Sequence, residues 1–312
     1  MSNDVLNQVK QLVMRQLWRN YVANLRSVSH IQTVLQEQYD EVLLWDHFAL
    51  IDLPGPHTGI GPLSELFLHL DYEVRGRDYL PEKQNDFVWL AEKSIEAQSA
   101  KKALPQVVVA DFRREELAPE VRKIIDAYAS LAKPLDIEQL RHLQRRILDQ
   151  DKDAIYEIVK LVTDYLKGRD WPLPSVKEFE TVKQSNELLA WVLVMGRQVN
   201  HFGWAIHLSK SFNNLQVFNQ FVSDTLSIPL NEKGGVIKGH AENGIEQSST
   251  APITQSVTLV DGTIDVSDRF IEFVWRYPVL SSNEKPVLWN DYFTGFIANN
   301  ADHVVESLYL YC

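Results

Sequence analysis

Between Val5 and Leu35 the apolar residues Val9, Leu12, Val13, Leu17, Tyr21 and Leu25 return at steps of three and four, the period of a helix with one buried face. The spacing predicts an amphipathic helical lead-in that packs on the protein's own core. From Glu41 the pattern changes. EVLLWDHFALI is short, apolar and β-compatible and stops at Pro54, Gly55 and Pro56, as a buried strand ended by a turn should. LSELFLHLDY reads as a short helix or a helix-to-strand passage, and DFVWLAE and LPQVVVADF as strands.

Glu115 to Gly168 differs in kind: PEVRKIIDAYASLAK and DIEQLRHLQRRILDQDKDAIYEIVKLVTDYLKG combine helical periodicity with dense charge. Gly168 and WPLP punctuate its end. A second mixed module follows, with a helical ETVKQSNELLAWVLVMGR, the strand NHFGWAIHL, a further helical stretch, a glycine turn at LNEKGGVIKG, and strands around SVTLVDG and RFIEFVWRY. The expected organisation is a helical segment over 1–40, an α/β module over 41–114, a helical insertion over 115–180, and a second α/β module with a C-terminal segment over 181–312. The two modules are similar in size, which suggests a pseudo-duplication, although no repeat is visible in the letters themselves.

Hydrophobic residues make up 45% of the 312 positions and charged residues 23%, with no apolar run long enough to suggest a membrane span. The start, MSNDVLNQVKQ, has neither the basic opening nor the apolar stretch of a secretory signal, so the expected compartment is the cytoplasm. A net charge of −11 disfavours a nucleic-acid partner. The densest basic group, Arg141, His142, Arg145 and Arg146, sits in a helical pattern with Leu140, Leu143 and Ile147 and reads as a solvated helix face. The single cysteine, Cys312, excludes disulfide frameworks, thiolate zinc sites and a conventional cysteine nucleophile, so any metal must use nitrogen and oxygen ligands. Nothing in these properties fixes an oligomeric state.

Strand alternation separates faces. It places His47 with Trp45, Ala49 and Ile51. It places His201 with Gly203, Ala205 and His207, opposite Phe202, Trp204, Ile206 and Leu208. It places Glu272 with Phe270, Val274 and Arg276, opposite Ile271, Phe273, Trp275 and Tyr277. Small and imidazole-bearing on one side and bulky on the other, these strands look like the wall of a cavity. A carboxylate inside IEFVW must meet a cation or a metal if it is buried. Two histidines and a carboxylate from separate strands match the facial triad of non-haem iron sites, and equally suit catalytic zinc. Isolated strand histidines also serve as satisfied core residues, and Glu272 could pair with Arg276; ligands 154 and 71 positions apart form no compact motif.

The blocks WDHFALIDL, LPQVVVADFRREELAPE, AWVLVMGRQVNHF, NEKGGVIKGHAENGIEQSST and RFIEFVWRYP, in this order, with GFIANNADHVVESLY near the end, resemble the 2-oxoadipate dioxygenase/decarboxylase family, also called the hydroxyglutarate synthase family. The resemblance runs from about Tyr39 to the end. It implies an α+β, vicinal-oxygen-chelate-like fold of paired βαβββ modules around a metal, here with an N-terminal helical segment and a helical insertion. It implies that His47, His201 and Glu272 are the catalytic metal ligands, that the metal is iron(II), and that the partners are a 2-oxo acid and dioxygen. The implied reaction is oxidative decarboxylation with hydroxylation of the shortened acid, turning 2-oxoadipate into 2-hydroxyglutarate in amino acid catabolism, notably lysine breakdown.

The chain departs from the family pattern at three places. The family continues from the first histidine as His-Phe-Ala-Phe-Arg, and the arginine position is Ile51 here. Gly203 stands where the family has threonine, and His240 and Ala241 where serine and proline are commoner. Isoleucine cannot make the bidentate contact by which arginine reads a carboxylate. Either Lys238, Arg197 or Arg276 replaces that cation, or the substrate carries a less polar tail. His207 is a candidate pocket base, and Gln247 and Ser249, in the glycine-rich block, are candidate substrate contacts. Two other readings stay open: a glyoxalase-like isomerase or lyase using zinc, nickel or manganese, and a non-catalytic binder of a metal or small acid.

Overall fold

The protein is described from a computed structural model covering residues 3–149, 151–279, 285–298 and 300. Cys312 and the whole ADHVVESLY stretch lie outside the described residues. The elements run α1 (Asn3–Val22), α2 (Arg26–Tyr39), β1 (Trp45–Ile51), α3 (Ile60–His69), β2 (Tyr72–Leu80), β3 (Asn85–Glu92), β4 (Gln106–Phe112), α4 (Pro119–Ala129), α5 (Ile137–Leu148), α6 (Asp153–Tyr165), α7 (Val176–Ser185) and α8 (Glu187–Met195). They continue with β5 (Val199–Ala205), α9 (Leu215–Gln220), β6 (Lys238–His240), β7 (Ile245–Ser249), β8 (Ile253–Thr258), β9 (Thr263–Asp268) and β10 (Ile271–Arg276).

An eight-stranded sheet in the order β2-β3-β4-β1-β5-β10-β7-β6 forms the centre, and its topology shows the duplication that the letters hide. In the first half β1 leads through α3 to β2, β3 and β4, and β4 returns parallel to β1. In the second half β5 leads through α9 to β6, β7 and β10, and β10 returns parallel to β5. The halves meet where β1 pairs antiparallel with β5. Each is a βαβββ unit. The fold is α+β, of the vicinal-oxygen-chelate kind, with β8 and β9 as a separate two-stranded insertion before β10.

One sheet face carries the larger core. Phe48 and Leu50 of β1, Phe202 and Trp204 of β5, and Ile271 and Phe273 of β10 pack there with Val9, Val13 and Leu17 of α1 and with Leu140, Leu143, Ile155 and Ile158 of α5 and α6. Burying each such side chain stabilises the fold by roughly 1.5–3 kcal/mol. Helices α5 and α6 thus supply part of the layer that backs the site. Their basic residues face solvent as ion pairs, Arg141 with Glu138 and Arg146 with Asp151 and Glu157. Among the described residues no helix is long and apolar enough to cross a membrane.

Several elements differ from their expected form. The lead-in is two helices because the chain turns at Ala23 and Asn24, which lets Leu25, Val28, Ile31 and Leu35 reach the core as a second amphipathic face. The stretch ETVKQSNELLAWVLVMGR is also split: Asn186 leaves helical geometry at φ −157° and its side chain accepts from the Leu189 N–H, since asparagine is favoured as a helix cap. The glycine-rich block around Gln247 forms the hairpin β6–β7, turned at Gly244 with φ +80°. Trp45 does not share the face of His47; it packs on Trp18, 5.7 Å between ring centres, in the helical layer.

Candidate metal centre

That last difference has a cause that builds the site. β1 and β5 slip register twice. Trp45 faces Trp204 but His47 faces Gly203, so Asp46 is an extra residue in β1; Ala49 faces His201 but Leu50 faces Val199, so Asn200 is an extra residue in β5. A bulge re-aims side chains locally and adds twist. Here each bulged residue immediately precedes a histidine and turns onto it: His47 Nδ1 donates to Asp46 Oδ2 and His201 Nδ1 donates to Asn200 Oδ1, both at 2.8 Å. With Nδ1 holding the proton, Nε2 of each ring presents a lone pair.

Those two lone pairs meet a carboxylate. His47 Nε2 lies 3.3 Å from His201 Nε2, and Glu272 Oε2 lies 3.4 Å from the first and 3.2 Å from the second. All three residues are buried. Gln247 Nε2 donates to Glu272 Oε1 at 2.6 Å, which holds the carboxylate while Oε2 has no hydrogen-bond donor among the described residues. Burial works to lower the His47 pKa, but the carboxylates of Glu272 and Asp46 raise it to about 9. Burial depresses His201, while His47 and His201 outweigh burial and hold Glu272 well below the usual carboxylate range. The centre is built to hold positive charge, as a proton or a metal ion. An ion bound at right angles to three atoms about 3.3 Å apart sits ~2.3 Å from each, and one at tetrahedral angles ~2.0 Å, close to the distances divalent metals keep to imidazole nitrogen and carboxylate oxygen. Three ligands leave coordination positions open.

The other candidate residues distribute as follows. Ile51 and Gln247 line the buried cavity in front of the triad. Ser249 is buried opposite Glu272 in the β7–β10 register without lining it. Lys238 donates to the Asn231 carbonyl at 3.0 Å. Arg197 pairs with Asp52 and Asp170 at 3.2 and 3.3 Å. Arg276 grips Asp46 with both ends, Nε to Oδ1 at 2.7 Å and Nη2 to Oδ2 at 2.9 Å. None of these three cations lines the cavity, so a side chain replacing the family arginine from among them is not what the structure provides. His207 also lies elsewhere, because β5 ends at Ala205 and its ring, 4.8 Å from Tyr292, faces a separate cavity shared with Asp46 and Arg276. Burial lowers its pKa to about 4. Asp46 and Asn200 are the residues sequence reasoning missed; their signal was an acid or amide directly before each histidine, in corresponding strands of both halves.

A family model described as 2-oxoadipate dioxygenase/decarboxylase matches residues 7–303. The chain belongs to that family. Its members are enzymes, and a 2-oxoadipate dioxygenase/decarboxylase of Arabidopsis thaliana, described as chloroplastic, is 26% identical over 86% of this chain and 69% of its own. Among solved structures, the hydroxyglutarate synthase of Oryza sativa in complex with 2-oxoadipate is similar with a TM-score of 0.78 at 22% identity, covering 99% of this chain and 94% of that one. A glyoxalase superfamily protein of Ralstonia eutropha JMP134 has a TM-score of 0.75 at 16% identity, covering 93% and 86%. At these identities the two structures speak for the fold.

Gly203 gives this family member a feature that can be tested. It faces both His47 and Glu272 across the sheet, and a Cβ there would lie 2.7 Å from His47 Cε1 and 2.9 Å from Nδ1. Gly203→Ala should therefore push the His47 ring out of line and weaken divalent metal binding by roughly 10–100-fold, the range seen when the support of a ligand is disturbed. Chelator competition reads this directly, with circular dichroism to show an unchanged fold; wild-type affinity in the variant would mean that the ring has room to move.

Proposed function

We propose that the chain is an iron(II)-dependent enzyme that decarboxylates a 2-oxo acid with dioxygen and hydroxylates the shortened acid. The reading rests on one observation above all: two histidine Nε2 atoms and one carboxylate oxygen converge at a buried point that opens onto a cavity. Iron(II) bound there would supply the electrons and open coordination positions that let dioxygen react with a 2-oxo acid. The protein's residues do the rest. His47, His201 and Glu272 hold the ion, Asp46 and Asn200 fix the imidazole tautomers, and Gln247 keeps Glu272 Oε1 turned away. The apolar walls exclude water, so the reactive centre meets only the bound substrate.

The balance for 2-oxoadipate, the compound bound to the Oryza sativa protein, is one acid plus one dioxygen giving 2-hydroxyglutarate and carbon dioxide. Carbon dioxide leaves with the oxygens of the original carboxylate, and both atoms of dioxygen enter the 2-hydroxyglutarate, one in the carboxylate formed from the keto carbon and one in the hydroxyl. Protein loaded with iron(II) under anaerobic conditions should consume dioxygen and release carbon dioxide one for one when offered a panel of 2-oxo acids, and zinc-loaded protein should do neither. Silence across the panel with iron, together with isomerisation of a hemithioacetal by zinc- or nickel-loaded protein, would replace this reading with glyoxalase-like chemistry.

A further inference from the structure

We infer, resting on the reading just given, that the substrate's tail is short, aliphatic and uncharged. The triad closes one end of the cavity, and Ile51, Leu80, Phe87, Val108, Ala110 and Phe296 wall much of the rest. Two polar side chains reach the lining, and both are turned to other partners: Asn85 Nδ2 donates to the Asp111 carbonyl at 2.8 Å and Gln247 Nε2 to Glu272 at 2.6 Å. No described lining residue is lysine or arginine, and the residues outside the described set include neither type.

A second carboxylate on the tail would therefore leave water without a cation to receive it, and an unpaired buried carboxylate is among the most unfavourable groups a site can hold. Apolar carbon gains on entering the same walls. The three buried cations proposed as replacements are engaged elsewhere, Arg276 with Asp46, Arg197 with Asp52 and Asp170, and Lys238 with the Asn231 carbonyl. Lys83, nearest along the chain in the turn between Leu80 and Asn85, is buried and engaged, and does not line the cavity. Size points the same way. The cavity is small, about 50 Å³, which favours a short tail over a long one.

The test separates binding from turnover. Full-length protein loaded with redox-inactive zinc is titrated calorimetrically with 3-methyl-2-oxobutanoate, 4-methyl-2-oxopentanoate, 2-oxoglutarate and 2-oxoadipate. The expected result is that the branched aliphatic acids bind at least tenfold more tightly than either dicarboxylate, and that Ile51→Ala moves the preference several-fold toward a longer aliphatic tail such as 2-oxooctanoate. Equal or tighter binding of 2-oxoadipate overturns the inference, and its loss in Lys83→Met would name the cation responsible; binding of none of the acids overturns it as well. Dioxygen uptake by the iron(II)-loaded protein is then measured with the same acids. Aliphatic preference in binding without uptake on any acid supports the tail assignment while refuting the dioxygenase reading, whereas uptake with 2-oxoadipate preferred refutes the tail assignment and leaves that reading standing.

Discussion

Glu272→Ala should yield a folded protein that retains no divalent metal and shows no turnover. Glu272 is the only anionic member of the triad, and its Oε2 stands within 3.4 Å of both histidine nitrogens. Without it two neutral imidazoles remain, too few ligands to hold a mononuclear ion against water. The fold should survive because the neighbours Ile271 and Phe273 bury their side chains on the opposite face and the ladders to β5 and β7 are made by backbone. The local cost is the loss of the Gln247 partner, about 1–3 kcal/mol for a buried donor left unsatisfied. Metal content after desalting should fall from near one ion per chain to background, and turnover by at least a thousandfold. His47→Ala should do the same. Normal metal occupancy in both variants would sink the triad assignment.

How much of this site was legible beforehand depends on the strand. On β10, strict alternation set Glu272 apart from Ile271 and Phe273, and on β5 it set His201 apart from Phe202 and Trp204, because polarity there follows the pleat residue by residue. On β1 the same rule misplaced Trp45, because a bulge adds a residue without any distinctive letter; Asp46 reads as an ordinary polar position until the register with Trp204 and Gly203 is known. The duplicated architecture was visible only as two modules of similar size, since topology is shared where letters are not. Strands β6 and β7 were not legible because KGH and IEQSS are mostly polar residues of low strand propensity, and pairing rather than propensity makes the hairpin a sheet edge. The fate of the cations could not be read at all. Arg276 and Asp46 lie 230 positions apart, and nothing in either neighbourhood says that one neutralises the other.

That distant pair carries the second large expected effect. Arg276→Met should destabilise the protein by about 3–5 kcal/mol, because it leaves the Asp46 carboxylate buried without its counter-charge. Arg276 and His47 now outweigh burial and hold Asp46 far below the usual carboxylate range. Once the guanidinium is gone, burial favours the protonated acid, which no longer orients and polarises His47 as a carboxylate does; metal affinity should fall roughly 10–100-fold. The same guanidinium donates through Nη1 to the carbonyls of Phe293 and Gly295 at 3.0 and 2.8 Å and lies 4.9 Å from the Phe296 ring, so it also fixes the segment that supplies one cavity wall. Two readouts tell these roles apart. In the double variant Asp46→Asn/Arg276→Met the buried charge is removed along with its partner, so the urea midpoint should recover most of what Arg276→Met loses. Metal affinity should stay low, because an amide in place of the carboxylate still leaves His47 without its anionic support. If both quantities recovered together, Asp46 would be serving only the packing of the 293–296 segment, and the bulge that aims it at His47 would be incidental to the metal centre.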